Sequence, residues 1–259
     1  MKKILYTGAS SGIARKVIKK LKREYYIYVS VHTKKQLELI SKYYYQEKNI
    51  ECIKLDITNK DDIKKINNLD IDILINNAAI GIGGSISEIN MNKVRENFET
   101  NVFSSFTIVQ IVLKQMIKKG RGRIIIMGSL AAIIPIKFLG VYCATKASIQ
   151  KLTLTLQKEI KLINKKINII LIEPGLYKTG FNQVMLDNKY DFMEKTSYFN
   201  NELELIRKKE TLFFKLLEHN KLNSIVNKII LAVKEKRPKG IYRAPITQVI
   251  GSKLYQLFK

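Results

Sequence analysis

The sequence predicts an α/β protein in which a doubly wound parallel sheet is flanked by helices. Short apolar runs with many β-branched residues recur along the first two thirds of the chain, and most precede a segment with apolar residues three to four positions apart. Strands and helices that alternate in this way form parallel sheets covered on both faces. The predicted strands lie in KILYTG, YYIYVSV, IECIKLD, IDILINNA, GRIIIMGS and INIILIEPG, with a last one in PKGIYRAP.

Helical patterns occupy the intervals between these strands. A connection from one strand to the next parallel strand is almost always right-handed, so we expect the helices to cover both faces of one sheet. The predicted helices cover about 12–22, 34–46, 61–67, 91–118 and 142–162.

We expect residues 1–259 to form a single domain, because no linker or repeat interrupts the chain. The strand rhythm stops over about 177–223, which we interpret as a helical insertion that covers a substrate cleft. The tail of about 246–259 has apolar residues near helical spacing beside Lys253 and Lys259. Such a tail packs on a neighbouring subunit or lies on a membrane surface, and the sequence favours the subunit.

The composition argues against several classes of protein. The 46 Lys and Arg residues exceed the 22 Asp and Glu residues and give a formal charge of +24, but they are scattered and not clustered as in nucleic-acid binders. The two cysteines and two histidines are widely separated and predict neither a disulfide framework nor a metal site. So few cysteines fit a reducing, cytoplasmic setting best. Polar residues interrupt the apolar runs before they reach membrane-spanning length, so we expect a soluble or peripheral protein.

A glycine-rich turn, TGASSGIA, follows the first predicted strand and opens the first helix. A helix that begins at such a turn presents backbone N–H groups and its positive end to a pyrophosphate. Gly8 permits the sharp turn, Gly12 permits close approach of the backbone, and the Ser10 and Ser11 hydroxyls add donors. The order of strand, glycine turn and helix therefore predicts a dinucleotide site.

A tyrosine and a lysine four residues apart stand in YCATK, at the start of the predicted helix 142–162. Residues at this spacing share one helix face, so we expect Tyr142 and Lys146 to reach the same cleft. An ammonium group beside a phenol favours the phenolate and lowers its pKa. Two further polar residues precede them in order: Asn101 in ETNVFSS and Ser129 in MGSLAA.

Together these segments resemble the short-chain dehydrogenase/reductase family over nearly the whole chain. The glycine turn resembles the family's TGxxxGxG and NNAA resembles NNAG, while LDIT and EPGLYKTGF resemble the segments that contact the adenine and the nicotinamide carboxamide. Two glycines of the family pattern are replaced here, by Ala14 and Ala79. Neither replacement abolishes the pattern, since one added methyl group is tolerated at such positions.

The resemblance implies a Rossmann-type fold and an enzyme that transfers a hydride between a nicotinamide cofactor and a carbonyl or alcohol. It implies that Tyr142 is the acid/base, that Ser129 stabilises the oxyanion, and that Lys146 lowers the Tyr142 pKa and holds the nicotinamide ribose. Asn101 would hold a water that connects Lys146 to solvent. The cofactor-binding residues it implies are Gly8, Ser10, Ser11, Gly12, Ile13, His32, Lys34, Asp56, Ile57, Asn77, Ala78, Tyr142, Lys146, Pro174, Gly175, Tyr177 and Thr179.

The end of the second predicted strand favours NADP(H) over NAD(H). An acidic residue there would bond the adenosine ribose 2′-hydroxyl and repel a 2′-phosphate, but Val31 stands at that position. His32 follows it, and Lys34 and Lys35 add positive charge nearby. We expect an apolar ketone or 3-oxoacyl substrate from the apolar residues of 177–223, and the resemblance implies a homodimer or homotetramer.

Other functions receive less support from the sequence. A non-catalytic NADP(H)-binding sensor or scaffold is the main alternative, and a missing tetrad residue would favour it, but all four residues are present. Nucleic-acid binding driven by the charge is disfavoured by the scattered lysines. An epimerase or dehydratase on a related fold would need a larger substrate domain than this chain provides.

Overall fold

The computed structural model describes residues 1–193 and 197–258. In these residues seven strands form one sheet of order β3-β2-β1-β4-β5-β6-β7, and every neighbouring pair is parallel. The predicted fold class, including all of the predicted strands, is confirmed. The strands are β1 (Lys2–Tyr6), β2 (Tyr25–Val31), β3 (Ile50–Lys54), β4 (Ile73–Asn76), β5 (Gly122–Met127), β6 (Ile167–Pro174) and β7 (Ile241–Ala244).

Helices connect the strands and cover both faces of the sheet. On one face, α1 and α9 pack against the sheet through residues such as Val17 and Ile229. On the other, α5 and α6 contribute residues such as Val112 and Ile149. The helices are α1 (Gly12–Leu21), α2 (Lys34–Tyr43), α3 (Lys60–Lys64), α4 (Met91–Phe98), α5 (Ser105–Lys119), α6 (Gly140–Ile163), α7 (Phe181–Met193), α8 (Leu203–Leu217), α9 (Asn223–Lys234) and α10 (Ile246–Leu257).

The single helix predicted over 91–118 is divided in the structure. A π-helical segment, Glu99–Ser104, separates α4 from α5, and Asn101 lies in it with only 1% of its surface exposed. A wider turn accommodates the extra residue that the regular helical period does not predict, and such turns occur often at functional sites. The division therefore marks a place where the backbone departs from regular geometry to position a buried amide.

The order of the strands creates a crevice at the carboxyl ends of the central strands β1 and β4. From β1 the chain moves outward to β2 and β3, and it then returns to β4 on the other side of β1. The loops that leave β1 and β4 therefore diverge at the carboxyl ends of these strands, and open α/β sheets bind ligands at such a point.

The predicted roles of the insertion 177–223 and of the tail 246–259 remain proposals. Helices α7 and α8 fall within the predicted insertion 177–223, but residues 194–196 of it lie outside the described part, as does Lys259 of the predicted tail. In the described residues no helix is both long and apolar enough to cross a membrane.

Candidate active site

A cleft of about 1330 Å³ opens at the carboxyl ends of the strands and brings most of the predicted site residues together. Gly12, Lys34 and Asn101 are the predicted residues that do not line it. Those that do are Gly8, Ser10, Ser11, Ile13, His32, Asp56, Ile57, Asn77, Ala78, Ser129, Tyr142, Lys146, Pro174, Gly175, Tyr177 and Thr179.

The glycine turn has the geometry that its sequence predicts. Gly8 adopts a φ of +63°, and a Cβ there would lie 2.7 Å from the Ala78 Cα. At Gly12 a Cβ would meet only a Leu222 methyl group, at 3.7 Å, so the protein itself leaves space beside the start of α1. Ser11 caps α1, whose first turn has no acidic residue. A helix N-terminus whose positive end faces no acidic side chain, and which lies beside open space, fits a dinucleotide pyrophosphate.

Hydrogen bonds hold this turn against the end of β4. The Thr7 Oγ1 accepts bonds from the Asn77 N–H at 2.9 Å and the Ala78 N–H at 3.0 Å. The Asn77 side chain donates to the Gly8 carbonyl at 2.9 Å. Asn77, which we expected to bind the cofactor, thus also fixes the glycine turn. Thr7 was missed as a positioning residue, although it directly precedes the turn in TGASSG.

The far end of the cleft lies beside β2 and β3. His32 Nε2 is 3.3 Å from Asp56 Oδ2. Gln36 Oε1 accepts bonds from the His32 and Thr33 N–H groups, and Gln36 lines the cleft although it was not predicted to do so. Lys34 is exposed at the start of α2 and does not line the cleft, and its contact with the cofactor stays a prediction. Because successive positions of a helix point in different directions, proximity in sequence did not reveal which residue faces the cleft.

The end of the cleft opposite to β2 and β3 contains Ser129, Tyr142 and Lys146. The Lys146 Nζ lies 5.6 Å from the centre of the Tyr142 ring and donates a 3.3 Å hydrogen bond to the Met127 carbonyl. Ser129 Oγ accepts a bond from the Ala131 N–H at 3.1 Å and thereby begins a short 3-10 turn. Tyr142 and Lys146 are respectively 9% and 3% exposed. Three groups capable of proton transfer therefore share one poorly solvated wall of the cleft.

Burial dominates the electrostatics of this wall. It raises the pKa of Tyr142 well above the usual value for a phenol, while a hydrogen bond with Ser129 acts in the opposite direction. It also lowers the pKa of Lys146 to about 8. We expected Lys146 to lower the Tyr142 pKa, but in the protein alone the effect of desolvation is larger. Tyr142 is therefore a phenol, not a phenolate, at neutral pH.

Asn101 is a positioning residue in this geometry. Its Oδ1 accepts a bond from the Ile80 N–H at 2.8 Å, and its Nδ2 donates to the Ile80 carbonyl at 2.9 Å. Nδ2 also bonds Thr145 Oγ1, at 3.1 Å, on the residue before Lys146. The side chain thus connects the loop after β4 to α6, and its polar atoms already bond protein groups. The predicted role in holding a water stays a prediction.

A buried carboxylate positions the Pro174–Gly175 segment. Glu173 is fully buried and accepts bonds from Arg243 Nε at 2.6 Å and Gln150 Nε2 at 2.5 Å. A buried charge must be paired to be tolerated, and here its partners lie on β7 and α6. The pair therefore ties the strand that ends at the cleft to the helix that carries Tyr142 and Lys146.

Replacing Gly8 with alanine should destabilise the protein. The positive φ and the approach to the Ala78 backbone both oppose a Cβ, and we expect a loss of about 1–3 kcal/mol in the free energy of unfolding. Urea denaturation measures it. Gly251→Ala is the matched control: no atom lies within 4 Å of its Cβ position, so helix propensity should make this change neutral or stabilising. Equal stability of the two variants would contradict this account of the turn.

Lys146 should make the stability of the cofactor-free protein depend on pH. Its pKa falls from 10.5 to about 8 on folding, so the unfolded chain binds more protons between these values and the free energy of unfolding rises with pH. Lys146→Met should remove that rise and stabilise the protein at pH 7 by roughly 1–3 kcal/mol. Urea denaturation from pH 7 to 9.5 measures it, below the range where Tyr142 ionises. Lys161→Met, an exposed change on the same helix, is the control. An unchanged rise in Lys146→Met would show that another group causes it.

Comparison with known proteins identifies relatives of this chain by sequence. A model of the short chain dehydrogenase family matches residues 2–189. The uncharacterized oxidoreductase YusZ of Bacillus subtilis is 31% identical, covering 71% of this chain and 68% of YusZ. The 3-ketodihydrosphingosine reductase of Bacteroides thetaiotaomicron is 27% identical, covering 96% of this chain and 90% of that enzyme.

Solved structures share the fold at lower identity. A short chain dehydrogenase/reductase from Burkholderia phymatum in complex with NAD is 18% identical with a TM-score of 0.82, covering 98% of this chain and 92% of that one. The closed form of serine dehydrogenase complexed with NADP+ is 19% identical with a TM-score of 0.77, covering 95% of each chain. With the family model matching well over half of its length, the chain belongs to the short-chain dehydrogenase/reductase family of oxidoreductases.

Proposed function

We propose that this protein is an NADP(H)-dependent reductase that converts an apolar ketone or 3-oxoacyl group to the alcohol, or catalyses the reverse, with Tyr142 as acid/base. The observation that carries the proposal is the meeting of Ser129, Tyr142 and Lys146 in the cleft that also contains the glycine turn. A pyrophosphate site and a proton-transfer site in one cleft are what carbonyl reduction needs.

Each residue has a distinct task in the proposed reaction. NADP(H), when bound, supplies or accepts the hydride. Ser129 donates a hydrogen bond to the substrate oxygen and stabilises the negative charge that develops there. Tyr142 delivers a proton to that oxygen. Lys146, charged below about pH 8, favours loss of the Tyr142 proton during the reaction. Because burial keeps Tyr142 protonated in the free protein, the site is prepared for reduction.

Residues beside β2 and β3 support NADP(H) as the preferred cofactor. The Val31 side chain is buried in the core, so no carboxylate occupies the position that would repel a 2′-phosphate. His32 faces the cleft at this end, with Asp56 beside it. The related solved structures include both NADP and NAD complexes, and the choice between them in this chain rests on these residues.

Apolar side chains support an apolar substrate. The half of the cleft around Tyr142 is formed by α7, α8 and the loop after β5. The 3-ketodihydrosphingosine reductase, whose match covers 96% of this chain, is named for a sphingoid ketone. An apolar wall of this kind excludes water and binds an acyl chain by burial. The residues that form it include Leu130, Ile134, Ile136, Leu139, Phe181, Met185, Phe213 and Leu216.

The proposed cellular setting is a homo-oligomer in the cytoplasm. Phe103 and Ile117 are exposed apolar residues on the segment around α5, and Leu152 is exposed on α6. If these residues packed against the same helices of a second copy, their apolar surface would be removed from water. Cys52 and Cys143 are free thiols, which suits a reducing compartment. The insertion 177–223 acts as the substrate lid of a single domain.

Tyr142→Phe should lower turnover by at least about a thousandfold, because phenylalanine lacks the hydroxyl that delivers the proton, while NADPH binds with near-normal affinity. Steady-state kinetics on a ketone panel and fluorescence titration with NADPH measure the two properties. Tyr198→Phe removes a hydroxyl from an exposed tyrosine and is the matched control. Near-normal turnover by Tyr142→Phe would exclude Tyr142 as the donor. Binding of NADPH without turnover of any carbonyl by the wild type would favour a sensor or scaffold.

His32→Asp should weaken NADPH binding about tenfold and leave NADH binding nearly unchanged, because the new carboxylate would repel only a 2′-phosphate. Fluorescence titration with both cofactors measures the difference. Lys34→Asp changes the charge by more but lies outside the cleft, so it should have the smaller effect. A larger effect at Lys34 would contradict the assignment of His32 to this end of the site.

A further inference from the structure

Two helices frame the mouth of the cleft. Phe213 and Leu217 of α8 and Tyr255 of α10 line it, and the Gln248 side chain of α10 donates a 2.8 Å hydrogen bond to the Leu217 carbonyl. The carboxyl end of α8 and the start of α10 therefore lie side by side. The apolar half of the cleft therefore borders on both helices.

The outer face of α10 is apolar and uncovered. Ile246, Ile250 and Leu254 lie four residues apart and are 68%, 53% and 49% exposed. None of them lines the cleft, which α10 contacts through other residues. The outer face of α8 carries Leu205 and Leu212, seven residues apart and 54% and 55% exposed. We call these five side chains the apolar rim. A rim of this kind on two adjacent helices is a typical interaction surface.

The two helices that carry the apolar rim also carry exposed lysines. Lys208, Lys209 and Lys215 are exposed on α8 and Lys253 is exposed on α10. Lys208 pairs with Glu204 at 2.6 Å across one helical turn. Long lysine side chains extend past apolar neighbours and place their charges at a lipid head-group layer. The chain as a whole carries +24, so an anionic surface attracts it from a distance.

The position of the apolar rim favours a membrane over a second copy of the chain. A second copy seated on α8 and α10 would cover the mouth of the cleft, whereas a bilayer can supply the substrate through it. Gly251 lies between the two faces of α10 and lines the cleft, and no atom lies within 4 Å of its Cβ position. This leaves the helix open at the point where an acyl chain would cross from the apolar rim to the apolar wall.

We propose that the apolar rim docks on an anionic lipid surface and that the substrate enters the cleft directly from the bilayer. The second part rests on the proposed reduction of an apolar ketone, but docking does not depend on catalysis. The interaction is peripheral: the apolar rim enters the head-group region and the lysines bind anionic lipids. This assigns the C-terminal helix to a membrane surface, where the sequence had favoured a neighbouring subunit.

Vesicle sedimentation tests the docking. Vesicles of equal parts phosphatidylcholine and phosphatidylglycerol should bind the wild type, and the triple variant Ile246→Ser, Ile250→Ser, Leu254→Ser should bind at least tenfold more weakly. The control triple variant Leu39→Ser, Met91→Ser, Leu231→Ser removes similarly exposed apolar side chains elsewhere, and it should bind like the wild type. Both variants keep the full charge, so attraction by scattered lysines alone would make all three proteins bind equally and would overturn the proposal.

Two further measurements distinguish membrane docking from a subunit interface, and failure of docking from failure of the proposed function. If the rim variant lowers the molecular mass in light scattering and leaves vesicle binding unchanged, the apolar rim is an interface between copies and the proposal is overturned. The rim variant should retain NADPH binding and turnover of a short water-soluble ketone, since the altered residues lie outside the cleft. Specific vesicle binding by a wild type that reduces no carbonyl would support docking and refute the proposed function alone.

Discussion

The contact between the glycine turn and the end of β4 is the constraint on which the site depends. Gly8 packs its backbone on Ala78, and Thr7 and Asn77 bond across the gap between the two strands. If this junction opened, the start of α1 would move away from the cleft, and the backbone groups that we propose bind a pyrophosphate would lose their common orientation. A glycine of positive φ and one threonine hydroxyl therefore hold the start of α1 against the end of β4.

Burial determines the protonation states in the other half of the cleft, around Tyr142 and Lys146. Desolvation favours the neutral forms of both Tyr142 and Lys146, so the phenol holds its proton while the ammonium approaches neutrality at mildly alkaline pH. At neutral pH Tyr142 is therefore uncharged, and Lys146 carries the charge on this wall of the cleft. The cost is stability: a lysine buried to 3% exposure opposes folding while it is charged.

Much of the fold and of the site could be predicted from the sequence because short-range patterns determine them. The strands follow from apolar runs, and the glycine turn, Ser129 and the Tyr142–Lys146 pair follow from spacing on one element. What could not be predicted depends on three-dimensional packing. The π-helical segment around Asn101, the exclusion of Lys34 from the cleft and the balance of desolvation over charge at Tyr142 arise from neighbours distant in sequence. The same holds for α10, whose amphipathic pattern is clear in the sequence but whose position at the mouth of the cleft is not.

The proposed function requires that one cleft bind NADP(H) and an apolar carbonyl together. Its most direct test is kcat/KM with NADPH for a series of straight-chain ketones or 3-oxoacyl thioesters of increasing length. Each methylene buried against the apolar wall should raise kcat/KM about fourfold until the wall is filled, because burial of one methylene is worth about 0.8 kcal/mol. Turnover that is absent for every member of the series, or that is independent of chain length, would contradict the account.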